Sequence, residues 1–187
     1  MEFRLFYRGQ LKSNGGPTEK QAIRRQFHPQ LKPLWNQTPL VGSEVYLDGN
    51  SDRAHLVYPL LDFRFACLVS ERHSTFAELD ILFLRPEPAG AIIKSGGGDI
   101  DNRLKTLFDG LRRPMLENEI AKGDAPKQDE RPFHCLLSDD ALITKVGITT
   151  DQLLDTSTKT GENDEVVLVI NVHIKSRNTT WDSMGFF

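Results

Sequence analysis

Apolar and polar residues alternate at the start of the chain. Phe3, Leu5 and Tyr7 occupy every second position, a period that predicts a first β-strand. Residues 9–17 contain Gly, Asn and Pro and predict a loop, after which apolar residues recur at helical spacing. Pro29 lies inside that helical pattern, so we expect the helix to be kinked or interrupted there.

The remaining apolar segments predict four further strands and one further helix. The strands cover residues 63–69, 77–84, 141–148 and 165–174, and the first two are expected to pair. From residue 100 or 101 onward, apolar residues three and four positions apart form one stripe, which is typical of an amphipathic helix. The residues of this stripe are Leu104, Leu107, Phe108 and Leu111.

The order of these elements predicts a small single domain of the α+β class (mixed α/β) that spans residues 1–187. We expect one mixed sheet of about five strands, packed with two or more helices. Residues 113–135 are rich in charge and contain Gly and Pro, so they are expected to form a loop insertion. Residues 175–187 have little pattern and are expected to form a C-terminal tail.

Composition sets two bounds on the class of protein. The 187 residues are 39% hydrophobic, which is enough for one sizeable core, and no apolar run approaches the ~20 residues that cross a bilayer. Cys67 and Cys135 form no Cys-x-x-Cys pair, so we expect two reduced, packed thiols. These observations favour a cytoplasmic protein without a membrane partner.

The net charge of −3 argues against a generally basic nucleic-acid-binding protein, but the charge is unevenly distributed. Residues 1–36 contain seven Lys or Arg residues and two Glu residues, a balance of +5. Arg24 and Arg25 of the first predicted helix are therefore candidate DNA contacts. The alternative is an ordinary solvated helix face.

Two acidic pairs flank the second predicted helix. Asp99 and Asp101 lie at its start, after a run of glycines, and Asp139 and Asp140 lie directly before a predicted strand. If the two pairs converge, the cluster of like charges requires a cation, and all-oxygen ligands favour Mg²⁺. The alternatives are a helix cap for the first pair and a turn for the second.

Lys105 follows Asp101 by four residues, so both side chains project from one face of the predicted helix. This spacing suits an ion pair on the helix surface. It equally suits a cation beside a metal site, where the ammonium group contacts a scissile phosphate. The five histidines show no metal-ligand spacing and are expected to be packing or surface residues.

These acidic and basic residues together form a family pattern. The chain resembles the RusA family of Holliday junction resolvases through Asp99-Ile100-Asp101-Asn102, then Lys105, Asp109 and Leu111, and later Asp139-Asp140-Ala141-Leu142-Ile143. The resemblance implies a RusA-like fold and a homodimeric endodeoxyribonuclease that requires Mg²⁺, or Mn²⁺ in its place. Such a hydrolase resolves branched DNA, such as a four-way junction, by paired phosphodiester cleavage in DNA recombination and repair.

The resemblance also implies roles for individual residues. The implied catalytic and metal-binding residues are Asp99, Asp101 and Asp140, and the implied active-site lysine is Lys105. The residues expected to support the site are Asn102, Asp109 and Asp139.

Two further residues become candidate DNA contacts through the same resemblance. Ser13-Asn14 follows the first predicted strand as a Ser-Asn loop does in that family, which adds Asn14. Lys94 stands near the place where the family often carries a run of arginines, whereas this chain carries a glycine run before Asp99. A metal-dependent nuclease on another nucleic acid and a non-catalytic DNA-binding module are the alternative functions.

Overall fold

The computed structural model describes residues 1–48, 56–86, 100–154 and 165–178, and these ranges contain seven strands and two helices. In chain order the elements are β1 Glu2–Gln10, α1 Pro17–Leu31, β2 Val57–Leu60, β3 Phe63–Val69, β4 Thr75–Arg85, α2 Ile100–Leu111, β5 Phe133–Leu137, β6 Ile143–Gln152 and β7 Glu165–Ser176. The predicted α+β class is confirmed. Neither helix in these ranges is long and apolar enough to span a membrane.

Four strands form the larger sheet, in the order β1-β7-β4-β6. β7 runs antiparallel to both of its neighbours, whereas β4 and β6 are parallel. Burial alternates along β4, because every second side chain faces the helices. Leu79 and Ile81 of this strand belong to the main core together with Phe27 of α1 and Leu107 of α2. β6 ends the sheet, and its outer edge pairs with no other strand in the described ranges.

The other three strands form a second mixed sheet, in the order β2-β3-β5. β3 runs antiparallel to β2 and parallel to β5. The expectation of one sheet of about five strands is therefore wrong in detail, and so is the expected pairing of residues 63–69 with 77–84. A 3-10 turn at Glu71–His73 separates β3 from β4 and directs them into different sheets.

β2 and β5 are the two strands that the pattern did not predict. β2 has only four residues and contains Pro59, which cannot donate a backbone hydrogen bond. β5 has five consecutive buried residues and hence no alternation, as is usual for a parallel strand covered on both faces.

Three predicted boundaries also change. α1 continues through Pro29 and ends at Leu31, after which a 3-10 turn follows at Lys32–Asn36. The predicted insertion at 113–135 includes the first three residues of β5, and β7 extends one residue beyond the predicted start of the tail at 175. Residues before β5 are held against α1, because Arg25 bonds a carboxylate at Asp124 and another at Glu130.

Candidate functional site

The N-terminal half of α2 presents two of the predicted site residues to solvent. Asp101 is exposed, and its carboxylate accepts a hydrogen bond of 2.8 Å from the Asn102 N–H. Lys105 is also exposed, and no ion pair between it and Asp101 forms within the structure's described ranges. Asp99 and Lys94 lie outside the described residues. The ion-pair explanation of the four-residue spacing is therefore not supported.

The loop after β1 is fastened to the N-terminal half of α2. The Thr106 hydroxyl donates to the Asn102 carbonyl oxygen at 3.2 Å and accepts from the Gly15 N–H at 2.9 Å. A Cβ at Gly15 would lie 2.7 Å from the Thr106 methyl carbon, so only glycine allows this approach. Asn14 precedes this contact with φ of 55° and an exposed side chain. The candidate DNA contact at Asn14 thus lies on the same side of the molecule as the start of α2.

The second acidic pair lies at the start of a short 3-10 turn, Asp140–Leu142, between β5 and β6, with Asp139 directly before the turn. The Asp139 carboxylate accepts from the Ala141 N–H at 2.8 Å and so caps this turn. The Asp140 side chain is 49% exposed, and its Oδ1 lies 3.7 Å from Nε of Arg112. Partial burial raises the pKa of the Asp140 carboxyl, and the Arg112 guanidinium opposes that shift. Asp139 is therefore the supporting member of the pair and Asp140 the accessible one.

Asp109 is buried and paired with two cationic side chains. It is 7% exposed, and its two oxygens lie 2.7 Å from Lys20 Nζ and 2.7 Å from Arg112 Nη2. Arg112 also pairs with Glu119 at 2.9 Å, and this hydrogen bond lowers the pKa of Glu119 to about 2. The pairing of Arg112 with Asp109 was not predicted, although a position three residues after Asp109 is the spacing of a helical ion pair.

The two exposed aspartates lie at opposite ends of α2. Asp101 is in its first turn, whereas Asp140 approaches Arg112, which directly follows its last residue. Arg112 is eleven positions after Asp101, which corresponds to roughly 16 Å along the axis at a rise of about 1.5 Å per residue. Two oxygens that bind one Mg²⁺ at about 2.1 Å lie no more than about 4.2 Å apart.

The described part of one chain therefore does not fit the predicted shared metal site. Among these residues no group of three or more His, Cys, Asp or Glu side chains could hold a metal ion. The third predicted ligand, Asp99, is outside the described ranges, so the complete set of three aspartates stays a prediction.

Arg24, a predicted DNA contact, is buried in the fold and only 1% exposed. Its guanidinium donates to the carbonyl oxygens of Arg112 and Asp109, at 2.9 and 2.8 Å, and to Gln21 at 3.2 Å. Arg25 is partly exposed, but its guanidinium is bound to the carboxylates of Asp124 and Glu130. Basic residues of α1 thus hold the fold together, and the helical pattern alone could not distinguish this role from phosphate contact.

Comparison of the chain with protein-family models, with curated proteins and with solved structures gives no match in any of the three. The resemblance to the RusA family therefore rests on the motif residues and stays a prediction.

Proposed function

We propose that this protein is a Mg²⁺-dependent, structure-selective endodeoxyribonuclease that acts on branched DNA. The supporting observation is that the motif aspartates differ in exposure according to their expected roles. Asp101 and Asp140, which the motif assigns to catalysis, are exposed, whereas Asp109, which it assigns to support, is buried between two cations. An exposed carboxylate retains lone pairs for a cation, and a doubly paired one does not.

Each remaining motif residue has a role in this proposal. Asp139 fixes the turn that presents Asp140, and the Thr106 bonds fix the backbone that presents Asp101. Lys105 supplies an exposed ammonium group one helical turn from Asp101, where it would neutralise a bound phosphate. Within one chain, Asp101 and Asp140 lie toward opposite ends of α2.

We further propose that the protein acts as a homodimer through the outer edge of β6, which pairs with no strand among the residues that the structure describes. This strand has ten residues, lacks proline and has no buried residue. Val146 and Ile148 are 40% and 38% exposed, although Ile148 is in register with Ile81 of the core. A long exposed edge of this kind is a template for pairing with another strand.

The charges along β6 favour a second copy as its partner. Antiparallel pairing centred on Ile148 places Lys145 of each copy opposite Asp151 of the other, which gives two opposite-charge pairs. This pairing also reverses the strand direction between copies. The bond from Gly15 to Thr106 puts the N-terminal half of α2 toward the end at which β1, β4 and β6 finish, whereas Asp140 precedes β6 at the opposite end. The reversal therefore brings Asp140 of one copy to the same end of the paired sheets as Asp101 of the other.

A second candidate function is a non-catalytic DNA-binding module, and the separation of Asp101 from Asp140 within one chain favours it. A nuclease acting on linear or single-stranded nucleic acid is the third outcome that the same experiment distinguishes. Labelled four-way junctions, flaps, duplexes and single strands are incubated with the protein in Mg²⁺, Mn²⁺ or EDTA.

The proposed function predicts metal-dependent paired nicks in the junction, which Asp101→Asn and Asp140→Asn each reduce by at least about 100-fold. Asp62→Asn removes an exposed carboxylate in the turn between β2 and β3 and is the control, with unchanged activity. Binding without cleavage in either metal would establish the module instead. Cleavage confined to linear or single-stranded substrates would establish the other nuclease.

The dimer is tested by exchanging the two charges. Lys145→Glu and Asp151→Lys each oppose like charges across the proposed pair, so each is expected to shift the mass measured by light scattering from dimer toward monomer. The double variant restores opposite charges and is expected to restore the dimer. Loss of the Lys145 contact to Asp80, 3.4 Å away, cannot explain such a rescue. A monomeric wild type, or a double variant that stays monomeric, would refute this interface.

A further inference from the structure

A tyrosine contacts two arginines beside the second sheet. Tyr58 belongs to β2, Arg72 lies in the turn after β3, and Arg113 follows α2. The guanidinium carbon of Arg72 lies 4.2 Å from the centroid of the Tyr58 ring, and that of Arg113 lies 4.4 Å from the same centroid. These distances are within the range of cation–π contact. We call the three residues the Tyr58 cluster.

Three separate segments hold the Tyr58 cluster in place. The Tyr58 hydroxyl is 2.6 Å from the Ser70 hydroxyl, which also accepts from the Arg72 N–H at 3.2 Å. The Arg113 N–H donates to the Leu137 carbonyl oxygen at 2.9 Å. Both guanidinium groups are therefore attached to a fixed backbone and oriented by one ring, so less conformational entropy is lost when they bind a ligand.

Arg113 differs from its neighbour Arg112 in what neutralises its charge. Arg112 is bound to Asp109 and Glu119, whereas no carboxylate of the described residues lies within ion-pair distance of Arg113. The Nε atom of Arg113 is buried and has no hydrogen-bond partner there, and Nη1 donates only to the Pro114 carbonyl oxygen. The charge of Arg113 is thus available to an anion.

The position of the Tyr58 cluster relates it to the second acidic pair. The carbonyl oxygen that holds Arg113 belongs to Leu137, two residues before Asp139. Arg72 follows β3, and β5 runs parallel to β3, so both strands finish at this same end of the sheet. Asp140 begins the turn after β5. A polyanion bound at the Tyr58 cluster would therefore continue past Asp140.

We propose that Tyr58, Arg72 and Arg113 form a phosphodiester-binding site that holds a nucleic-acid backbone beside Asp140. Guanidinium groups bind phosphate oxygens through two parallel N–H donors, which suits a backbone contact without base specificity. This inference rests on the proposed function, because it assumes that nucleic acid is the anion. It also assigns the phosphate contacts to residues other than Arg24 and Arg25.

The test measures binding without cleavage. Affinity for a labelled four-way junction is determined by fluorescence anisotropy in EDTA over a series of salt concentrations. We expect Arg72→Gln/Arg113→Gln to weaken binding by at least about 10-fold at low salt and to reduce the slope of log K against log salt by about 2, since each phosphate contact contributes about 0.9. Arg64→Gln/Arg131→Gln makes the same change of charge at two other exposed positions and is expected to change affinity less than about 2-fold.

A tyrosine variant separates orientation from charge. Tyr58→Leu removes the ring that contacts both guanidinium groups and is expected to weaken binding with no change of charge. An unchanged thermal midpoint excludes unfolding as the cause of the weaker binding.

The outcomes for this site and for the nuclease are distinct. If the wild type binds and the arginine double variant binds equally well with the same salt slope, the phosphodiester site is wrong while the proposed function is untouched. If the arginine variants lose affinity but the wild type cleaves no substrate in Mg²⁺ or Mn²⁺, the site stands and the nuclease fails. A wild type that binds no nucleic acid overturns both.

Discussion

The two ends of α2 carry similar residues in very different environments. At the N-terminal end, Asp101 and Lys105 are exposed and do not pair with each other. At the C-terminal end, Asp109 and Arg112 are 7% and 9% exposed and are joined to each other and to further charged groups. In the sequence motif, both ends of α2 consist of acidic and basic residues at fixed spacings. Burial is what separates the end available to a ligand from the end that stabilises the fold.

The segment between α2 and β5 accounts for this difference. Glu119 binds Arg112 on one side of the segment, and Glu130 binds Arg25 of α1 on the other. His28 of α1 accepts at Nδ1 from the His134 N–H at 2.8 Å, which attaches the start of β5 to the same helix. The C-terminal end of α2 is covered as a result, and no such segment covers Asp101 within the described ranges.

The largest predicted effect comes from removing Arg24 at the covered end. Arg24→Ala leaves the buried carbonyl oxygens of Asp109 and Arg112 without donors and creates a cavity, so we expect a loss of about 3–4 kcal/mol in the free energy of unfolding. This corresponds to a fall of roughly 10 °C in thermal midpoint for a chain of this size. Chemical denaturation and calorimetry measure both quantities.

Arg64 provides the matched control, since Arg64→Ala loses the same charge at an exposed position of β3. We expect this variant to cost less than about 0.5 kcal/mol. Equal losses for the two variants would show that burial does not distinguish these arginines.

The next prediction concerns acid destabilisation through His134. Burial, reinforced by the charge of His28, lowers the pKa of His134 from 6.5 to about 3. The neutral form is therefore favoured in the folded state, so the stability it confers is full above pH 6.5 and is lost as the pH falls toward 3. Between pH 6.5 and 4.5 this linkage contributes roughly 2–3 kcal/mol.

Carboxylates contribute to acid unfolding as well, so the measurement compares variants. His134→Gln cannot titrate, and we expect its stability to fall less steeply than that of the wild type over the same pH interval. Parallel curves of unfolding free energy against pH for the two proteins would rule out this contribution from His134.

A smaller effect is predicted at the contact between the helices. Alanine in place of glycine usually stabilises a helix by about 1 kcal/mol. At Gly110 a Cβ would lie 2.8 Å from Cβ of Ile23 and closer still to its Cγ2, so we expect Gly110→Ala to destabilise the protein by about 2 kcal/mol instead. Asn102→Ala in the half-exposed first turn is the control and should be neutral within about 0.5 kcal/mol. A stabilised Gly110→Ala protein would show that the helices can move apart.

Sequence periodicity predicted the elements whose two faces differ. The alternation in β1 and β4 and the apolar stripe of α2 each arise from one buried and one open face, and all three elements form as predicted. β5 is buried on every side and β2 is four residues long, so neither leaves a periodic signal. The partition into two sheets depends on which strands meet, and spacing along one chain does not contain that information.

The candidate site was predictable only as a set of residue types. Sequence placed Asp101 at the start of a helix and Asp140 before a strand, and the structure has both positions as expected. It could not reveal that the C-terminal end of α2 lies near Asp140, or that the Arg24 side chain is buried. Both facts depend on how α1 and α2 pack together, and α1 carries charged residues on its buried face as well as on its exposed one.

The smallest predicted change in stability is at the exposed N-terminal end of α2, and it tests the difference between the two ends of this helix most directly. Asp101→Asn and Lys105→Gln alter exposed side chains that do not pair with each other, so we expect each to change the free energy of unfolding by less than about 0.5 kcal/mol. If the same two variants lose cleavage while Asp109→Asn loses mainly stability, exposure correctly divides the motif between chemistry and scaffold. A loss of stability at Asp101 comparable to that at Asp109 would instead make the first acidic pair a cap for α2, because a capping carboxylate is worth about 1 kcal/mol to its helix.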